Sequence, residues 1–139
     1  MKDQNLLLSC RPKLIQMLKP KVLNVDDEPF NGLMFRNIFK NKYEIFIAES
    51  GSAGLKILEE NIDINVVISD MSMPGMNGIE FTRKAKELNP DLACFILSGY
   101  DLTPEISKSI EEGLIKKYFQ KPIQVDEINS SIAEELILK

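Results

Sequence analysis

The sequence predicts an α/β domain built on a mostly parallel sheet of five strands covered by helices. Three observations predict it. From Lys21 onward, short apolar runs alternate with longer amphipathic stretches, the pattern of strands buried between helices. Two of the runs, NVVIS and ACFILS, are nearly unbroken in apolar residues, as strands covered on both faces must be. Five strand and helix pairs need roughly 120 residues, and residues 21–139 supply that length.

The elements follow in order. KVLNV is the first strand, and Pro29 opens the first helix, where a missing N–H costs nothing. Phe30, Leu33, Met34 and Ile38 mark one apolar face of that helix at helical spacing. YEIFIA is the second strand. Ser50 caps the second helix, with Ala53, Leu55, Ile57 and Leu58 as its apolar positions. NVVIS is the third strand; after Gly78, residues Ile79, Phe81, Thr82, Ala85 and Leu88 belong to a third helix ending near Asn89 and Pro90. ACFILS is the fourth strand, followed by a helix from Thr103-Pro104 to Gly113. IKKYFQ carries Lys116 and Lys117 and reads as an edge strand, and a fifth helix runs from about Val125 to the end. Residues 1–20 are basic with scattered leucines and form an N-terminal extension to the domain at 21–139. A short packed helix, a dimerisation arm and a frayed tail all fit them.

Composition narrows the function. Over 139 residues, 44% hydrophobic and 27% charged residues make an average globular mixture. The 17 basic and 21 acidic residues leave a net charge of −4, the wrong sign for tracking a phosphate backbone, so direct nucleic-acid binding is not expected. Histidine is absent, which removes His-based triads, imidazole zinc sites and histidine phosphorelay chemistry from this chain. Cys94 lies in an apolar run far from Cys10, as a reduced buried thiol does. Arg11, Pro12 and Lys13 interrupt the apolar stretch Leu6 to Leu8 before an h-region forms. No membrane span is expected, and the cytoplasm is the expected compartment.

Parallel α/β sheets bind ligands at the carboxyl ends of their strands. There the first strand leads into Asp26, Asp27 and Glu28, the third ends in Asp70, the fourth in Ser98 and Gly99, and the fifth leads into Lys121 and Pro122. Several carboxylates in one pocket repel each other unless a cation sits among them. Oxygen donors without histidine or paired cysteines suit magnesium or manganese. Lys121 brings the opposite charge, suited to Asp70 at rest and to a phosphoryl oxygen later. Taken singly, each piece has a plainer reading: Asp-Asp-Glu as a solvated turn or helix cap, Lys121 as a surface lysine, Ser98-Gly99 as a strand-end turn. Their coincidence at one edge favours a site.

At VLNVDDEP, VVISDMSMPGMNG, ILSGYD and YFQKPI, in that order, the sequence resembles the response-regulator receiver domains of two-component signalling, the CheY-like superfamily, over about residues 21–139. The resemblance implies a flavodoxin-like (βα)5 three-layer sandwich of strand order 2-1-3-4-5. It implies Asp70 as phosphoacceptor, Asp26, Asp27, Asp70 and the Ser72 backbone carbonyl as magnesium ligands, and Lys121 as the salt-bridging lysine followed by a cis bond to Pro122. Ser98 stands where the family has threonine or serine, and Tyr118 matches the switch aromatic. Ser72 and Tyr100 are expected to tune the lifetime of the phosphoryl group. Ile123 departs from the subgroup that carries tryptophan after the proline.

The expected phosphodonor is a sensor histidine kinase or phosphotransfer protein. The expected output is a contact with another protein, with a homodimer left open, and with a stand-alone regulator and a piece of a longer protein both compatible. Such a chain is a signalling switch that catalyses only its own phosphorylation and dephosphorylation. Three other readings compete. An aspartyl-nucleophile phosphatase of the haloacid-dehalogenase type needs Asp-x-Asp-x-Thr, whereas Met-Ser-Met-Pro follows Asp70. A flavin carrier needs a first loop rich in Ser, Thr and Gly, and an acidic loop repels phosphate. A phosphorylation-independent scaffold of the same fold is the third.

Overall fold

Strands and helices alternate along residues 19–138, which a computed structural model describes: β1 (Lys21–Val25), α1 (Pro29–Phe39), β2 (Glu44–Ala48), α2 (Gly51–Glu60), β3 (Val66–Asp70), α3 (Gly78–Leu88), β4 (Ala93–Ser98), α4 (Pro104–Glu111), β5 (Lys117–Gln120) and α5 (Val125–Leu138). The greater part of the expected N-terminal extension, with Cys10, lies outside the described residues. The sheet order is β2-β1-β3-β4-β5 and every pairing is parallel, as expected. Parallel pairing sets Val25 opposite Ala48 and Ser69, Asp70 opposite Leu97, and Ser98 opposite Gln120. All strands therefore finish at one edge.

Two apolar clusters flank the sheet. On one face Phe35 and Phe39 of α1 and Ile128 and Ile132 of α5 pack on Val22, Val66, Ile68, Phe95 and Leu97. On the other, Leu58, Phe81, Ala85 and Ile106 from α2, α3 and α4 pack on Leu23, Val25, Val67, Cys94 and Ile96. Every residue of β3 and β4 is buried, which explains their apolar runs: crossover helices cover both faces, and polar side chains enter only toward the carboxyl ends, at Ser69, Asp70 and Ser98. β5 is a shorter edge than expected and begins at Lys117; Ile115 is buried just ahead of it.

The first helix corrects the sequence reading. Its inward face is Gly32, Phe35 and Phe39, whereas Phe30, Leu33, Met34 and Ile38 are exposed, Phe30 at 68%. Both stripes have helical spacing, so periodicity alone does not choose between them. Packing does: a Cβ on Gly32 would lie 2.6 Å from Ile47 Cγ2, so that side meets β2 at a distance no larger residue permits. The Phe35 and Phe39 rings, with centroids 4.6 Å apart, then fill the same side. In α2 the buried positions are Gly51, Gly54 and Leu58, with Ala53 exposed. In α3 the expected core residues are buried except Leu88, which is exposed.

The caps of α2, α3 and α4 are side-chain oxygens, whereas Glu28 before α1 makes no side-chain cap. Ser50 accepts from Ala53 N at 3.1 Å and Thr103 from Ile106 N at 3.2 Å. Asn77 and Glu80 form a reciprocal capping box at the start of α3. These bonds set where α2, α3 and α4 begin, and so how the loops above the strand ends are shaped.

Candidate functional site

The turn after β1 and the end of β3 bring Asp26, Asp27 and Asp70 together, with one carboxylate oxygen of each within 4.8 Å of the others. Neighbouring strands at the reversal point of the sheet order carry them, where an α/β sheet opens a crevice. Asp26 is 3% exposed. Its Oδ1 accepts from Glu28 N at 2.9 Å and its Oδ2 from Asn31 Nδ2 at 3.3 Å, so both oxygens are oriented from α1. Asp27 is half-buried beside it. Lys121 Nζ lies 2.8 Å from Asp70 Oδ1, placed by the chain leaving β5 through a cis Lys121–Pro122 bond.

Burial of Asp70 pushes its carboxyl above the usual carboxylate range. The hydrogen bond and charge of Lys121 pull it down, and Asp26 and Asp27 push it further up. The balance is upward because one lysine does not compensate both lost hydration and two neighbouring carboxylates. That is the electrostatic condition a divalent cation relieves. The donor set fits such an ion: oxygen atoms only, on converging elements, suited to a hard cation that keeps several waters. Asp26, Asp27 and Asp70 could hold it.

Glu28 is not part of the cluster. It is exposed at the N-cap of α1 and contributes its backbone N–H to Asp26. Ser72 lies in the exposed loop after Asp70. Ser98 is buried at the end of β4, one residue beyond the partner of Asp70, and its Oγ accepts from Tyr100 N at 3.2 Å. Tyr118 is half-buried on β5 opposite Ile96. Side chains two apart on a strand share a face, so Tyr118 and Ser98 lie on the same side of the sheet.

Two residues that shape the site were not singled out from sequence. Asn31 stands in the first turn of α1, where a side chain reaches back toward the preceding loop; that position was its signal. Gly78 opens α3, and a Cβ there would lie 2.5 Å from the Asp70 carbonyl oxygen and 3.1 Å from Met71 Cα. Gly78 N also donates to Met71 O at 2.8 Å. The helix start is thus pressed against the backbone that carries Asp70.

The family model described as response regulator receiver domain matches residues 22–133. The chain is similar to sporulation initiation phosphotransferase F of Bacillus subtilis strain 168, 33% identical over 125 residues, covering 88% of this chain and 98% of that protein. It is 29% identical to the hydrogenase transcriptional regulatory protein HoxA of Bradyrhizobium diazoefficiens, covering 84% of this chain but only 24% of that longer protein. Among solved structures, a response regulator receiver domain protein of Clostridium thermocellum matches with a TM-score of 0.74 and 28% identity, covering 86% of this chain and 99% of that one. The response regulator protein TrrA of Thermotoga maritima, solved in complex with Mg(2+)-BeF, matches with a TM-score of 0.71 and 25% identity, covering 84% and 98%. This chain belongs to the response regulator receiver domain family.

Proposed function

We propose that Asp70 accepts a phosphoryl group from the phosphohistidine of a sensor histidine kinase or phosphotransfer protein and that the modified chain presents an altered surface to an output protein. The observation that carries this reading is the Lys121 ammonium bonded at 2.8 Å to an aspartate that two further aspartates surround. The ionised Asp70 oxygen attacks phosphorus, the P–N bond to the donor imidazole breaks, and the imidazole leaves. Asp26, Asp27, Asp70 and the Ser72 carbonyl would hold a magnesium or manganese ion, which would supply positive charge against the negative charge gathered during transfer.

Lys121 follows the transferred group by moving its hydrogen bond from Asp70 to a phosphoryl oxygen. The Ser98 hydroxyl turns from Tyr100 N–H toward another. Tyr118 then takes up the vacated space on the same sheet face, which links the site to the surface made by α4, β5 and α5. Ser72 and Tyr100 border the approach of the hydrolytic water. The exposed Phe30, Leu33, Met34 and Ile38 on α1, beginning three residues beyond Asp27, are the docking face for the donor. Among the described residues no helix is long and apolar enough to cross a membrane.

The test is incubation with acetyl phosphate and magnesium, read by intact mass. One phosphoryl adduct is expected on the wild type and none on Asp70→Asn; equal labelling of the two would sink the assignment. Magnesium-dependent beryllofluoride binding separates this switch from a scaffold that never uses the site.

A further inference from the structure

We propose that the cleft between the carboxyl ends of α2 and α3 is the docking site of the chain's own N-terminal segment, residues 13–18, with Leu14, Met17 and Leu18 as the side chains that enter it. The cleft measures about 260 Å³ and is lined by Leu58, Asn61, Ile62, Ile64, Leu88 and Asn89. It lies at the edge where the strands begin, opposite the edge that carries Asp70. The proposal does not depend on phosphorylation.

Further up, α2 and α3 close on each other: a Cβ on Gly54 would lie 2.8 Å from Phe81 Cε1. Past Leu58 and Ala85 the same two faces reach Ile62 and Leu88, four and three positions on, and there they part. Leu58 and Ile64 are buried and floor the cleft, whereas Leu88 is 48% exposed and Ile62, at 84%, is the most exposed large apolar residue among those described. Aliphatic side chains held in water beside an apolar floor mark a surface that takes a partner.

Reach, pattern and charge choose the occupant. Lys21 N donates to Asn65 Oδ1 at 3.4 Å and the Lys21 ammonium pairs with Asp63, so the chain enters the domain against the loop that carries Asn61, Ile62 and Ile64. Ile62 stands three positions from Asn65, about 11 Å of chain at most, and the stretch from Leu14 to Lys21 spans up to about 23 Å, so the segment reaches the cleft. A short tether also holds it at an effective concentration on the order of millimolar, which a second copy in dilute solution does not match. Leu14, Met17 and Leu18 recur at i, i+3 and i+4, the spacing of one apolar face. The charges are complementary as well. α2 finishes on exposed Glu59 and Glu60 with no basic residue in its last turn, where the helix dipole favours a cation, and residues 1–18 carry Lys2, Arg11 and Lys13 against Asp3 alone.

The test places a nitroxide on Cys10 of the ¹⁵N-labelled full chain, Cys94 being buried and out of reach, and reads paramagnetic broadening of the amides. The Asn61, Ile62, Leu88 and Asn89 signals should be lost. Those of Lys40 and Lys42, on the other side of the entry point, where Lys19 Nζ donates to Lys40 O at 3.2 Å, should persist. Ile62→Glu, at an exposed turn position, should restore the lost signals and lower the Tm of the full chain. Adding Leu14→Glu and Leu18→Glu should lower the Tm no further, because both changes remove the same contact. Equal broadening on the two sides of the entry point would mean a tail that docks nowhere, and broadening unmoved by Ile62→Glu would place the segment elsewhere. The same signals lost in a ¹⁵N-labelled Cys10→Ser chain mixed with spin-labelled chain would give the cleft to a second copy. Each of these three results overturns the proposal.

Discussion

At Asp70 the burial that assembles the site also strains its charge. The carboxyl is raised above its ordinary value, so the folded chain holds the ionised form at a cost wherever the pH exceeds the folded-state pKa. As the pH falls through that value, the folded chain takes up the proton before the unfolded one, and the cost is relieved. In chelator, Asp70→Asn should therefore be more stable than wild type at pH 7, and the gap should narrow toward about pH 4. Urea midpoints across that range measure it, and a gap that widens on acidification would contradict the assignment. Gly78 is a steric counterpart. The backbone oxygen that a Cβ would meet at 2.5 Å has no side chain to swing aside, so Gly78→Ala should destabilise by about 1–3 kcal/mol and lower magnesium affinity by displacing Asp70. The aspartates, Ser98 and Lys121 were legible because their residue types are out of place at strand ends. Gly78 was not, because its importance is a distance to an atom eight residues away.

Among the elements, α1 separates what periodicity tells from what it does not. Its sequence holds two apolar stripes, and the one with four large residues faces solvent while Gly32, Phe35 and Phe39 face the sheet. Phe35→Ala should cost about 3–5 kcal/mol, whereas Leu33→Ala should stay within about 0.5 kcal/mol and instead slow phosphotransfer from a donor protein while leaving labelling by acetyl phosphate unchanged. Urea denaturation and the two labelling reactions measure these effects. A large stability loss on Leu33→Ala would show that the outer stripe packs on the fold. The starts of α2 and α4 were readable from Ser50, Thr103 and Pro104, since capping is a local bond between near neighbours. The inward face of a helix is set by the element it meets, and no local signal records that.

For the molecule as a whole, the parallel order brings the turn after β1, the end of β3 and the chain leaving β5 to one edge, and gathers three carboxylates there against one ammonium. A cation that binds this edge only in the folded state must stabilise the entire domain. Magnesium at about 100 times its Kd should add about 2.7 kcal/mol, read as a rise in Tm that EDTA reverses and Asp26→Ala removes; a Tm indifferent to magnesium in the wild type would refute the cation site.

The linear order of residues was enough to determine the alternation of strands and helices, the burial of β3 and β4, and the chemistry available at the strand ends. These depend on hydrophobic periodicity, local capping and residue type, all of which act over a few neighbouring positions. Only the tertiary structure decided that Asn31 orients Asp26, that Gly78 presses on the Asp70 backbone, that α1 turns its two phenylalanines inward, and that the faces of α2 and α3 part at Ile62 and Leu88. Each of these rests on contacts between separate elements, where steric fit and burial select among faces that spacing along the chain leaves equivalent.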